Sequence, residues 1–189
     1  MEKAEILGRK VVARGKYVQL EQVEFRNEKG KRGVWDAAER VNTRGAVMII
    51  GHLMPSNRVL LVRQFRPPTG KYVVEFPAGL IDGGERAEET AHRELKEETG
   101  YTGLLTFCSE PVYSTSGMTG ESLNVAIVEI NDFEFAEKPT PHPEESECIE
   151  IFAVEMGKLR EFIGQKTAEG DGVDSKVLVF MMAQEYFHG

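Results

Sequence analysis

The chain has 189 residues, a formal net charge of −8, 41% apolar and 29% charged residues, which fits one ordinary globular domain with at most a small appendage. The acidic balance offers no basic excess to displace counterions, which argues against a general affinity for nucleic-acid backbone. No apolar run reaches membrane-spanning length, the start Met1-Glu2-Lys3-Ala4-Glu5 has no h-region, and Cys108 and Cys148, without metal-binding spacing, read as free thiols of a reducing compartment, so the cytoplasm is the expected location.

Taken in chain order, residues 9–41 predict a short β appendage. Val11-Val12, Tyr17-Val18, Leu20, Val23 and Phe25 are strand-like, Asn27-Glu28-Lys29-Gly30-Lys31 is a turn, and Val34-Trp35-Asp36-Ala37-Ala38 resumes the extended chain. The broken alternation between Leu20 and Val23 predicts a bulge. Residues 45–50 and 58–64 are apolar strands around the turn Met54-Pro55-Ser56-Asn57. Tyr72 to Phe76 is a further strand, running into Pro77-Ala78-Gly79.

A helix follows. Ala87 through Thr99 is rich in good helix formers, Asp82-Gly83-Gly84 before it is turn chemistry, and Gly100 is a natural C-terminal cap because positive φ costs it little. Beyond it, residues 104–108, 111–113, 122–130 and 148–154 read as strands, the third by the alternation of Leu123, Val125 and Ile127. Pro139, Pro141 and Pro143 mark a loop, and two helices near 156–164 and 175–187 close the chain. Strands on both sides of a central helix predict α+β or α/β sandwich layering.

The chemistry sits on the central helix. Glu94 and Glu98 are four residues apart and share one face, with Glu97 beside them. Like charges at that spacing destabilise a helix by a few tenths of a kcal/mol per pair, and a bound cation would remove the repulsion. Carboxylate oxygens suit hard cations such as magnesium, which keep water and substrate phosphate in their shell. Ala91, Leu95 and the aliphatic part of Arg93 are expected on the opposite, packed side. A solvated acidic face laced by Arg86, Arg93 and Lys96 is the alternative for a generic Glu-rich helix.

The offsets are not generic. Gly79, Glu85, Arg93, Glu94, Leu95, Glu97, Glu98 and Gly100 resemble the Nudix box, G-x5-E-x7-R-E-U-x-E-E-x-G-U with U aliphatic; Tyr101 stands at the last aliphatic position. The resemblance covers roughly residues 40–187 and implies an α/β/α sandwich with a mixed sheet at residues 42–189, plus the small N-terminal β appendage at residues 1–41. It implies hydrolysis of a nucleoside diphosphate linked to another group. Glu94, Glu98, Glu97, Glu85 and the Ala78 carbonyl would hold Mg2+, with Mn2+ as the alternative cation. Glu97 and Glu98 would act in catalysis, and Arg93 would orient the glutamates by charge-assisted hydrogen bonds.

The flanks narrow the substrate. Arg63-Gln64-Phe65-Arg66-Pro67-Pro68, Glu75-Phe76-Pro77-Ala78-Gly79 and Trp35-Asp36-Ala37-Ala38-Glu39-Arg40 are similar to the branch that cleaves ADP-ribose and other nucleoside diphosphate sugars. That likeness implies a homodimer whose appendage crosses to the partner. It also implies Trp35 stacking on the base, for about 1–3 kcal/mol, and Arg40 and Arg66 gripping phosphate or ribose, with Glu75 at the entrance to the box. A core aromatic is the other reading of Trp35. Glu147 is the positional match for a loop glutamate acting as base, with Glu144, Glu145 and Glu150 as competitors. Gly117 and Met118 match a substrate loop in which Ser116 replaces the branch's proline, which leaves room for sugars other than ribose. Glu121 is placed at the sugar end or, alternatively, is a strand-edge charge. His52, His92, His142 and His188 show no ligand spacing. A non-catalytic nucleotide-sugar sensor should lose box glutamates, and this chain keeps them all; a hydrolase of GDP-sugars or dinucleoside polyphosphates is the remaining alternative.

Overall fold

The computed structural model describes residues 3–41, 43, 45–135, 139–142 and 148–188. Strands β1 (Glu5–Arg14), β2 (Val18–Arg26) and β3 (Arg32–Arg40) form a separate antiparallel sheet in that order. The turn between β2 and β3 is built by Asn27, whose side-chain oxygen accepts from the backbone N–H groups of Lys29 and Lys31, both at 3.0 Å, as Asx turns do. The predicted bulge is on the other strand. Val11 pairs with Glu21 and Ala13 with Leu20, so Val12 of β1 is the extra residue there, a second shift leaves Leu7 extra between Ile6 and Gly8, and β2 stays in register with β3 throughout. The broken apolar alternation in β2 arises because Leu20 is exposed and lies on the face opposite buried Val23.

The larger sheet comprises β4 (Ala46–Met54), β5 (Arg58–Arg66), β6 (Lys71–Glu75), β7 (Ala78–Leu80), β8 (Leu104–Cys108), β9 (Val112–Tyr113), β10 (Ser122–Asn131), β11 (Glu150–Glu155) and β12 (Gly172–Val173). Its order is β12-β6-β5-β4-β10-β8, with β11 on β5, β7 on β4 and β9 on β10. The β4/β10 and β12/β6 pairs are parallel and the rest antiparallel. The sheet is therefore mixed, as expected. Helices α1 (Ala87–Thr99), α2 (Leu159–Ala168) and α3 (Ser175–His188) complete the fold.

The near-continuous apolar runs of β4 and β5 are buried on both faces, as in sheets covered by helices on each side. Alternation then splits them between two cores. Val47, Ile49 and Leu60 join Ala91 and Leu95 of α1 on one side. Met48, Leu61 and Val74 join Leu159 and Ile163 of α2 and Val177 and Met181 of α3 on the other. The result is helix, sheet, helix, with α1 the one helix on its face of the sheet among the described residues.

Helix α1 starts and stops where the sequence predicts. The Glu89 carboxylate accepts from the Arg86 backbone N–H at 3.0 Å, satisfying a group the helix start leaves open. Gly100 has φ +75°, and its N–H donates to the Lys96 carbonyl at 2.8 Å. A side chain there would meet the Thr140 carbonyl oxygen at 2.8 Å, so both conformation and packing require glycine. The short strands β7 and β12 have no periodicity signal and exist through pairing with β4 and β6. Among the described residues no helix is long and apolar enough to cross a membrane.

Candidate active site

Strand β7 and helix α1 make the acidic cleft. Pairing of Ala78-Gly79-Leu80 with Met48-Val47-Ala46 lays the β7 backbone beside α1. Glu98, only 2% exposed, accepts from the Ala78 backbone N–H at 3.1 Å. Glu94 lies directly over Gly79, where a Cβ would stand 1.9 Å from the Glu94 carboxyl carbon. Glycine is thus the one residue that leaves this carboxylate its seat.

Arg93 organises the remaining acids. Its Nη1 donates to Glu94 at 2.8 Å and Glu97 at 3.0 Å, and its Nε and Nη2 fork onto Glu85, both at 3.0 Å. The Thr90 hydroxyl donates to Glu85 at 2.7 Å. The Arg93 guanidinium, then Thr90, hold the Glu85 carboxyl down at about 2, and the same carboxylates raise Arg93 above its ordinary value. The expectation that Arg93 packs with Ala91 and Leu95 is therefore corrected. Those two are fully buried, whereas the Arg93 chain is drawn to the charged side, because three carboxylates offer its donors more than an apolar wall does.

The cleft holds about 340 Å³ and is lined by Arg40, Arg66, Gly79, Arg93, Glu94 and Glu97, among others. Its donor set is oxygen only, the chemistry of a hard cation. Among the described residues no three carboxylate, imidazole or thiol groups stand close enough together to hold a metal as arranged; the Arg93 guanidinium bridges Glu85, Glu94 and Glu97 instead.

Arg66 and Ala78 lead from this cleft into a second recess of about 170 Å³, bounded also by Glu75 and Glu121. Arg66 Nε donates to Glu75 at 2.8 Å. Burial raises the Glu75 carboxyl above its ordinary value, and the Arg66 contact opposes that rise. Arg40 forms an ion pair with Glu121, so Glu121 faces an arginine in the cleft rather than standing alone at a strand edge.

Trp35, Gly117 and Met118 meet elsewhere. The Trp35 indole N–H donates to the Gly117 carbonyl at 3.0 Å and the Ala38 N–H to the Met118 carbonyl at 2.9 Å. Together with Phe25, Val23 and Ile6 they line a cavity of about 550 Å³ between the small sheet and the loop before β10. Trp35 is 54% exposed, so it is not a core aromatic. The two regions adjoin, since Arg40 follows Glu39, and Glu39 accepts from the Gly120 N–H at 2.9 Å.

Glu147, Glu144 and Glu145 lie outside the described residues. Glu150 opens β11 and pairs with Arg63 at 3.2 Å; Arg63 also forks onto Asp171 at 2.6 and 2.9 Å. Sequence reasoning passed over Thr90 and Glu39. Neither carries a spacing signal, because each acts through contacts made only in the fold.

A family model described as the NUDIX domain matches residues 42–169. The ADP-sugar pyrophosphatase of Mus musculus is 30% identical over 190 residues, covering 96% of this chain and 87% of that protein. The ADP-ribose pyrophosphatase of Saccharomyces cerevisiae is 35% identical over 185 residues, covering 90% and 80%. The crystal structure of an ADP compounds hydrolase superimposes with a TM-score of 0.67 over 87% of this chain and 84% of that one, at 23% identity, a likeness of fold.

Proposed function

The chain belongs to the Nudix hydrolase family, and from that membership we propose that it hydrolyses the pyrophosphate of ADP-ribose or a related nucleoside diphosphate sugar, with Mg2+, to a nucleoside monophosphate and a sugar phosphate. The observation that carries this reading is the joining of two features in one cleft. Box glutamates seated on β7 face Arg40 and Arg66, the cations that the branch's flanking segments contribute.

Glu94, Glu98, Glu97, Glu85 and the Ala78 carbonyl are the groups that would hold the cation, Mn2+ being the alternative. The cation supplies charge neutralisation of the diphosphate and a bound water of lowered pKa. Arg93 holds Glu85, Glu94 and Glu97 together by charge-assisted hydrogen bonds, so these acids would stand ready for the cation. Glu98 is held in place by the Ala78 N–H. Arg66, backed by Glu75, and Arg40, backed by Glu121, orient the anionic bridge. Glu147 is the proposed base that takes the proton of the attacking water, with Glu144 and Glu145 as competitors. Trp35, Gly117 and Met118 take the base end. Exposed apolar residues on the small sheet, including Ile6, Val11, Val12 and Val34, support its role as a homodimer contact at residues 1–41, with residues 42–189 as the catalytic domain. A cytoplasmic location and no membrane or nucleic-acid partner complete the reading.

The test is a panel of nucleoside diphosphate sugars and dinucleoside polyphosphates with magnesium, read by phosphatase-coupled phosphate release. Preference for ADP-ribose or another nucleotide sugar supports the proposal, and preference for dinucleoside polyphosphates overturns it.

A further inference from the structure

The recess beyond Arg66 contains a residue that no motif announces. Lys176, in the first turn of α3, lines it together with Arg66, Glu75 and Glu121. A cation in that turn runs against the helix dipole, whose N-terminal end favours anions, and the first turn of α3 holds no acidic residue to offset it. Asp174, just before the helix, compensates. Its Oδ1 accepts from the Lys176 backbone N–H at 2.7 Å and its Oδ2 meets the ammonium at 2.7 Å. The Asp174 N–H in turn donates to the Val74 carbonyl at 2.9 Å, tying the start of α3 to β6, the strand that carries Glu75. Glu75 feels the Asp174 charge, which adds to the upward push of burial and opposes Arg66.

The recess walls therefore carry Arg66 and Lys176 against Glu75 and Glu121, two charges of each sign. Each has a protein partner of opposite charge: Glu75, Asp174, Arg66 and Arg40 respectively. A balanced, polar wall does not suit a further phosphate, which needs a net positive surroundings. A recess of about 170 Å³, at about 30 Å³ per water, holds roughly six waters, the scale of one small polyhydroxylated ring. An ammonium has three donors, and Asp174 engages one. A local rule broken at a helix start, beside a ligand cleft, is where function is expected to override stability.

We propose that Lys176 is a specificity-determining residue, donating a hydrogen bond to a hydroxyl of the neutral sugar at the far end of the diphosphate. The inference rests on the pyrophosphatase reading above and adds to it the residue that selects the terminal sugar.

The experiment is calorimetric titration of the intact protein, with magnesium, by two uncleavable ligands of equal charge. One is α,β-methylene ADP-ribose; the other is α,β-methylene ADP carrying a β-methyl ester, in which a methyl group replaces the terminal sugar. The wild type binds the sugar ligand more tightly. Lys176→Met lowers that preference about tenfold, chiefly through the sugar ligand, whereas Lys176→Arg, which keeps charge and donors, stays within about threefold of wild type. Thermal unfolding of both variants checks that they are folded. If Lys176→Met weakens both ligands equally, or neither, Lys176 is only the partner of Asp174 and the proposal falls. Equal binding of the two ligands by the wild type also overturns it while leaving the pyrophosphatase reading intact. Failure of the wild type to bind either ligand overturns that reading and this one with it.

Discussion

The acidic cleft and the small-sheet cavity adjoin, yet they are built in opposite ways. The cleft is local. Gly79, Glu85, Arg93, Glu94, Glu97 and Glu98 lie within twenty residues, and charged hydrogen bonds inside that stretch set their geometry. The cavity is assembled from afar. Trp35 meets Gly117 across 82 positions and Gly120 meets Glu39 across 81, through single backbone groups. A site that handles reacting atoms gains from a rigid, contiguous support. One that accepts the remote end of a ligand can rest on a loop, where substrate preference changes without disturbing the chemistry. Damage to the cleft should therefore appear in turnover, and damage to the cavity in affinity.

The largest expected effect is at Gly79. Gly79→Ala drives a methyl group into the Glu94 carboxylate and should lower kcat at least about 100-fold, the scale of removing one positioned electrostatic group. A loss confined to KM would break the division between the two regions. Next comes Trp35→Ala, which should raise KM about tenfold, within the 1–3 kcal/mol of one stacked base, while kcat falls less than threefold. Steady-state kinetics on the preferred nucleotide sugar measures both. Smaller still is Glu39→Gln, which weakens the charge-assisted bond to Gly120 at a partly exposed site. A two- to threefold rise in KM is expected, on the order of 0.5 kcal/mol, with kcat held.

The Glu85 carboxyl is held at about 2 in the folded chain, against about 4.3 when unfolded. A depressed carboxyl stabilises the fold fully above the unfolded value and loses that contribution as pH falls toward the folded one. The difference in Tm between the wild type and Glu85→Gln should thus be constant above about pH 5.5 and shrink between about pH 5 and 2. A difference that persists undiminished at pH 2 would show that Glu85 acts through shape rather than charge.

What the sequence made legible follows the same division. Helix α1 is read to the residue because propensity, the turn before it and Gly100 agree. The glutamates are legible because helical spacing turns sequence offsets into geometry. Arg93 was half read. Its place among the glutamates was foreseen, but its offset also permits a packed orientation, and only the positions of Glu85 and β7 decide between them. The bulge was assigned to β2 because its alternation is broken there, although the extra residue opposite Glu21 and Leu20 is Val12 on the neighbouring strand. Strands β7 and β12, at three and two residues, hold too few side chains to carry a period. Glu39, Thr90 and Lys176 were invisible because nothing near them in the chain hints at Gly120, Glu85 or the recess beside Glu75.

The most direct test of the central claim, that the α1 carboxylates grip a dication against the diphosphate bridge, is the turnover of Glu98→Gln. Glu98 is nearly buried, and its contact with Ala78 survives as a hydrogen bond to the amide oxygen, so shape is kept and charge removed. With magnesium and the nucleotide sugar that the wild type cleaves fastest, kcat should fall at least about 100-fold with Tm close to wild type. Turnover within a few-fold of wild type would contradict the claim.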